Sequence, residues 1–179
     1  GMDVIPSNTD LVAAEVTLLR NKNSEYKLKE VLSEVINVYD FIVIDCPPSL
    51  NMLTINAFTA SNGIIIPMQC EYYALEGLSA LMQTIEKIKQ TTNPNLDITG
   101  LVRTMYDTRN NLSNEVSVQL LKYFSHKVFK TIVPRNVKLA EAPSFGKAAI
   151  NYARSSKGAL SYLSLASEVL RKTSINSYT

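Results

Sequence analysis

The chain has 179 residues, 46 % of them apolar and 19 % charged, a make-up that supports a real core and excludes a disordered chain. A net charge of +2 is too small to announce a nucleic-acid partner, so any DNA contact has to come from a local patch. No apolar run approaches the ~20 residues of a membrane span and no signal peptide opens the chain, so a cytoplasmic protein is expected.

Val4-Ile5-Pro6 reads as the end of a short strand, and Ser7, Asn8 and Thr9 offer caps for a helix to about Arg20. Leu28, Val31, Leu32, Val35 and Ile36 follow at the spacing of a one-faced helix. Phe41-Ile42-Val43-Ile44 is a continuous apolar run that suits a central parallel strand, and it ends at Asp45. The pattern then repeats. A helix over about 53–60 leads to a strand over 63–67, and a helix over about 72–90 leads to a strand near 98–104. A helix near 114–124 leads to a strand over 128–133, and a last helix runs over about 158–171. Alternation of this kind predicts an α/β fold with a mostly parallel sheet, in one domain over 1–179 with a tail fraying from about 173.

Asp45 stands at the carboxyl end of a predicted strand, where ligands bind in open α/β sheets and where P-loop enzymes keep an aspartate for Mg²⁺. Cys46-Pro47-Pro48-Ser49 then turns the chain, because neither proline continues a helix. A capping or surface aspartate accounts for the same pattern. The six glycines nowhere form Gly-x-x-x-x-Gly-Lys-Ser/Thr, so these residues contain no phosphate loop of that type. Cys46 and Cys70 sit singly in apolar sequence and read as buried free thiols, and His126 alone cannot support a His-rich metal site.

Three stretches resemble the ParA/Soj partition ATPases, deviant-Walker-A relatives of MinD: Phe41 to Leu50 (FIVIDCPPSL), Pro67 to Gly77 (PMQCEYYALEG) and Ile132 to Gly146 (IVPRNVKLAEAPSFG). The resemblance runs from about Val4 to Arg171 and implies a three-layer α/β domain of the P-loop NTPase type. By it, Asp45 matches the Walker B aspartate that serves Mg²⁺, and Pro47 lies in the switch that senses the γ-phosphate. Met105, Pro134 and Asn136 fall where the family contacts adenine, and Glu71 and Tyr72 fall near the nucleotide-dependent dimer interface. Arg109 matches a residue used for non-specific DNA binding. Lys138 stands where some relatives carry a second such arginine; it keeps the charge but not the bidentate fork.

The resemblance also implies ATP and Mg²⁺ as ligands of the intact family, DNA and a ParB-type protein as partners, and a nucleoid-associated role in chromosome or plasmid segregation. The family's first strand, its lysine-bearing loop and its water-positioning aspartate would precede Asp3. The chain therefore reads as a C-terminal portion, missing a P-loop βα unit and not expected to bind nucleotide or hydrolyse ATP alone. Bare strand edges would favour self-association. A non-enzymatic DNA- or ParB-binding module and one half of a split ATPase are the alternatives. At the level of single residues, Arg109, Lys138 and Lys147 also fit plain surface charges, Tyr72 and Tyr73 ordinary packing, Asn136 a helix cap, and Met105 core filler.

Overall fold

The computed structural model describes residues 1–175, and the chain falls into two compact units: residues 1–63 with 83–96, and residues 64–82 with 97 onward. The first unit is built from helices. They are α1 (Asp10–Leu18), a 3-10 turn over Ser24–Tyr26, α2 (Lys27–Leu32), α3 (Met52–Ala60) and the later half of α4 (Ala74–Thr91). Buried amides tie the loops of this unit to its helices. Asn56 donates from Nδ2 to the carbonyls of Ser24 (2.8 Å) and Met52 (3.0 Å), and its Oδ1 accepts from the Leu28 N–H (3.0 Å). Asn93 donates to the carbonyls of Phe58 and Ser61 at 2.9 and 2.7 Å. α3 is capped by Asn51, whose side chain accepts from the Thr54 N–H.

Three expectations fail in this unit. Residues 41–47 form no strand, and Phe41, Ile42 and Val43 are exposed, Val43 at 91 %. A strand exists only as part of a ladder, and β-branched propensity without a partner strand does not create one. The same reason covers Val4 and Ile5, which are exposed and outside any strand. The helix expected through Ile36 is regular only to Leu32 and then loosens into turns.

The second unit carries a three-stranded sheet in the order β1 (Gly63–Gln69), β2 (Asp97–Tyr106), β3 (Val128–Pro134). β2 and β3 are parallel. They are joined through α5 (Asn111–Phe124), capped by Asn110, whose Oδ1 accepts from the N–H groups of Leu112 and Ser113. After β3 come α6 (Val137–Glu141), a 3-10 turn over Ala142–Phe145, α7 (Ala149–Tyr152) and α8 (Lys157–Ile175). The turn ends on Gly146 at φ +59°, a conformation that glycine adopts without strain. α8 runs to Ile175, and the last four residues of the expected tail lie outside the described residues.

Val102, Phe129 and Val133 form the buried centre of the sheet, with Leu139, Leu165 and Val169 packed on it. The face opposite Val102 along β2 belongs to Arg103, which reaches Ser117 on α5, so α5 and α8 cover opposite faces. Phe129 fits because Gly100 has no side chain: a Cβ there would lie 2.5 Å from the ring and 2.9 Å from the Lys127 carbonyl.

The β2–β3 register is irregular. Leu101 faces Val128, Arg103 faces Ile132, and Tyr106 faces Pro134. β3 therefore carries two extra residues in the first interval, and β2 carries one in the second. Met105, at φ +52°, lies in that second bulge.

Candidate functional site

The carboxyl edge of β2 and β3 collects most of the residues singled out in the sequence. Tyr106 stands opposite Pro134, and the Arg135 N–H donates to the Tyr106 carbonyl at 3.2 Å, which ties the two strand ends together. Met105, Pro134 and Asn136 thus share one edge. Met105 is 41 % exposed, so it is not core filler. A left-handed backbone at a non-glycine residue is strained, and strain of this kind gathers at functional positions. Asn136 is the N-cap of α6: its Oδ1 accepts from the Lys138 N–H at 3.0 Å.

Two basic residues flank this edge, and each meets a carboxylate two or three positions along the chain. Arg109 donates from Nε and Nη2 to the two oxygens of Asp107 at 3.0 and 2.8 Å, with its side chain 88 % exposed. Those hydrogen bonds hold the Asp107 carboxyl down at about 2 and push the Arg109 guanidinium up. Lys138 donates to Glu141 at 2.8 Å, and the Tyr152 hydroxyl donates to the same carboxylate oxygen at 3.0 Å. The Lys138 ammonium is raised and the Glu141 carboxyl lowered by their mutual bond.

Glu71 and Tyr72 follow β1 in an exposed turn. The Tyr72 and Tyr73 rings meet edge to face at 5.0 Å, and both are exposed, so the expectation of ordinary packing does not hold. In the first unit, Asp45 and Pro47 are exposed on the irregular segment before the bend at Pro48–Ser49. Cys46 is half-buried and Cys70 buried, both as free thiols, so the expectation of burial holds only for Cys70. No group of three metal-ligating side chains forms among the described residues.

Arg103 is what sequence reasoning missed. It is 7 % exposed, donates from Nη1 to the Ser117 hydroxyl at 3.0 Å, and donates from Nη2 to the carbonyls of Phe129 and Lys130 at 3.1 and 3.4 Å. An arginine in a strand carries no mark that distinguishes a buried side chain from a solvated one.

The comparisons with known proteins agree with the fold. A family model described as an AAA domain matches residues 1–98. An uncharacterized protein of Pseudomonas putida is 54 % identical over 96 % of the chain. The sporulation initiation inhibitor protein Soj of Bacillus subtilis is 51 % identical over 94 % of it, and the chromosome partitioning protein ParA of Myxococcus xanthus is 48 % identical over 96 %. The chain belongs to the ParA/Soj family. It spans 65, 66 and 60 % of those three proteins respectively. Among solved structures, cobyrinic acid a,c-diamide synthase of Mycobacterium smegmatis, with bound ADP and magnesium, superposes with a TM-score of 0.76. It is 35 % identical over 93 % of this chain and 60 % of its own. This ParA/Soj chain accordingly has an α/β fold of the P-loop NTPase type, with a parallel sheet and flanking helices. No helix among its described residues is long and apolar enough to cross a membrane.

Proposed function

We propose that this chain supplies the adenine side and the DNA-facing side of a ParA-type switch acting in chromosome or plasmid segregation. The observation that carries the reading is the β2–β3 register, which sets Met105, Pro134 and Asn136 on one edge. An exposed thioether, a proline ring and an amide suit a flat purine that needs apolar contact and one or two hydrogen bonds. Bound ATP would supply a γ-phosphate as the signal and Mg²⁺ its charge compensation; Asp45, on the first unit, is a candidate Mg²⁺ ligand considered by itself. The fit is limited to the base: no Gly-x-x-x-x-Gly-Lys pattern exists in these 179 residues to surround phosphates. Since positioning supplies nearly all of the catalysis in phosphoryl transfer, this chain by itself does not hydrolyse ATP.

A second reading, a non-enzymatic DNA- or ParB-binding module, draws on charge. The second unit holds twelve Lys and Arg against seven Asp and Glu, a net +5, leaving −3 on the first. Exposed Arg109 and Lys138 lie on that basic unit and suit phosphate contact in a nucleoid-associated protein. Glu71 and Tyr72 are candidates for self-association, and the aromatic pair beside them suits a protein interface. Calorimetry with ATP and Mg²⁺ tests the first reading, with Met105→Ala and Asp45→Ala as controls. Saturable heat that Met105→Ala abolishes supports it and overturns the expectation that the chain binds no nucleotide alone; absence of heat with retained ATP-independent DNA binding selects the module. ATPase activity of the chain alone would overturn the claim about hydrolysis. Its appearance on mixing with a separate P-loop-bearing chain would identify a split enzyme.

A further inference from the structure

Among the described residues, Arg103 and Glu168 are the charged side chains that are buried, at 7 and 8 % exposure, and neither forms a direct ion pair. A buried charge without compensation is expensive, so each has to be satisfied in some other way. Their hydrogen bonds converge on the same two peptide units. The Phe129 carbonyl accepts from Arg103 Nη2 at 3.1 Å, and the N–H of that same peptide, on Lys130, donates to Glu168 Oε1 at 2.8 Å. The next peptide repeats the arrangement. Its Lys130 carbonyl accepts from Nη2 at 3.4 Å, and its Thr131 N–H donates to Glu168 Oε2 at 3.0 Å. Both peptide dipoles therefore point their oxygen at the guanidinium and their hydrogen at the carboxylate, the orientation that stabilises both charges.

We infer that Arg103 and Glu168 act as one ion pair joined through the Phe129–Lys130 and Lys130–Thr131 peptide units, and that this pair positions Pro134 and Asn136 at the carboxyl edge by fixing the β3 bulge. Three residues lie between Val128 and Ile132 against Val102 alone on β2, a two-residue excess on β3, so the clamped peptides belong to the irregular interval. Without the clamp, the regular alternative is an even ladder. That ladder would set Ile132 opposite Met105 and Pro134 opposite Asp107 instead of Tyr106. The Arg103 Nε has no partner, so the guanidinium is held by its Nη groups, on the side facing the bulge and Ser117. The functional half of the inference rests on the adenine reading of that edge.

The test is a double-mutant cycle on the chain with Arg103→Met, Glu168→Gln and the double variant, read by urea unfolding and by the amide proton shifts of Lys130 and Thr131. Coupling through the peptides makes the double variant's folding constant at least ~fivefold better than the product of the single losses predicts. Arg103→Met also moves both amide shifts although Arg103 does not touch those protons, and Arg103→Lys restores them in part. Additive losses with unchanged shifts would overturn the inference. If Arg103→Met does not fold, Arg103→Gln carries the same comparison, because it removes the charge while keeping a polar side chain in the site. Glu168→Gln also moves the amide shift of Arg135, whose N–H donates to the Tyr106 carbonyl at the carboxyl edge. Coupling without that shift removes the edge-positioning half and leaves the clamp standing.

Discussion

Met105 offers a sharp sign test of the strand geometry. At φ +52° its Cβ crowds the following carbonyl, a conformation that costs a non-glycine residue ~1–2 kcal/mol. Met105→Gly removes that cost, and Met105→Ala keeps it. Both variants lose the same partly exposed thioether, so the burial term cancels between them. Glycine loses ~0.5–1 kcal/mol more conformational entropy than alanine on folding. The two terms leave Met105→Gly ahead of Met105→Ala by ~0.5–1 kcal/mol, about a two- to fivefold better folding constant. At neighbouring Thr104, which has no positive φ, the order reverses and glycine falls below alanine. Urea unfolding of the four variants at fixed protein concentration reads both differences. An alanine at 105 that matches or exceeds glycine would show that the bulge does not hold this residue in the left-handed region, and the argument from strain to function would go with it.

Asp107→Asn frees Arg109 from its carboxylate and strengthens DNA binding severalfold at low salt, whereas Arg109→Ala weakens it and flattens the salt dependence by about one counterion; titration against a fluorescent duplex reads both. Because the Asp107 carboxyl is held down at about 2, its attraction for Arg109 is fully present above the ordinary carboxylate range and is lost only as pH falls through about 2. The Arg109 Nε–H resonance should stay in place at pH 5 and move between about pH 4 and 2. Glu168 follows the same sign. Burial pushes its carboxyl up, the Lys130 and Thr131 N–H groups more than offset that, and the stability it contributes declines on acidification, measurable by thermal melts. Asn56→Ala strands the Ser24 carbonyl and the Leu28 N–H, at about 2–3 kcal/mol in urea unfolding. Gly100→Ala drives a methyl into Phe129 and a backbone oxygen, with an expected loss of about 1–3 kcal/mol.

What the sequence made legible was local. The strands at 63–69, 97–106 and 128–134 and the helices between them follow from apolar period and caps, and Asn136 as a cap is visible from its place before an apolar helix start. The run at 41–44 misled because propensity reports what a segment fits, while a strand needs a neighbour to pair with. The bulges were invisible for a different reason. Met105 carries no turn signal, and its positive φ arises from the mismatch in residue count between two strands far apart in sequence. Arg103 and Glu168 are 65 positions apart and meet only through a third segment, so neither periodicity nor local spacing could join them.

The exposed Tyr72–Tyr73 pair has a practical consequence. The chain has nine tyrosines and no tryptophan, so its ultraviolet emission is tyrosine emission with no indole to mask it. Two of those rings touch edge to face at 5.0 Å in a turn that faces solvent. Covering that turn with a second molecule would change the polarity around both phenols together. An association event at this surface therefore reports itself in the unlabelled protein, and Tyr72→Phe with Tyr73→Phe removes the signal from those two rings alone.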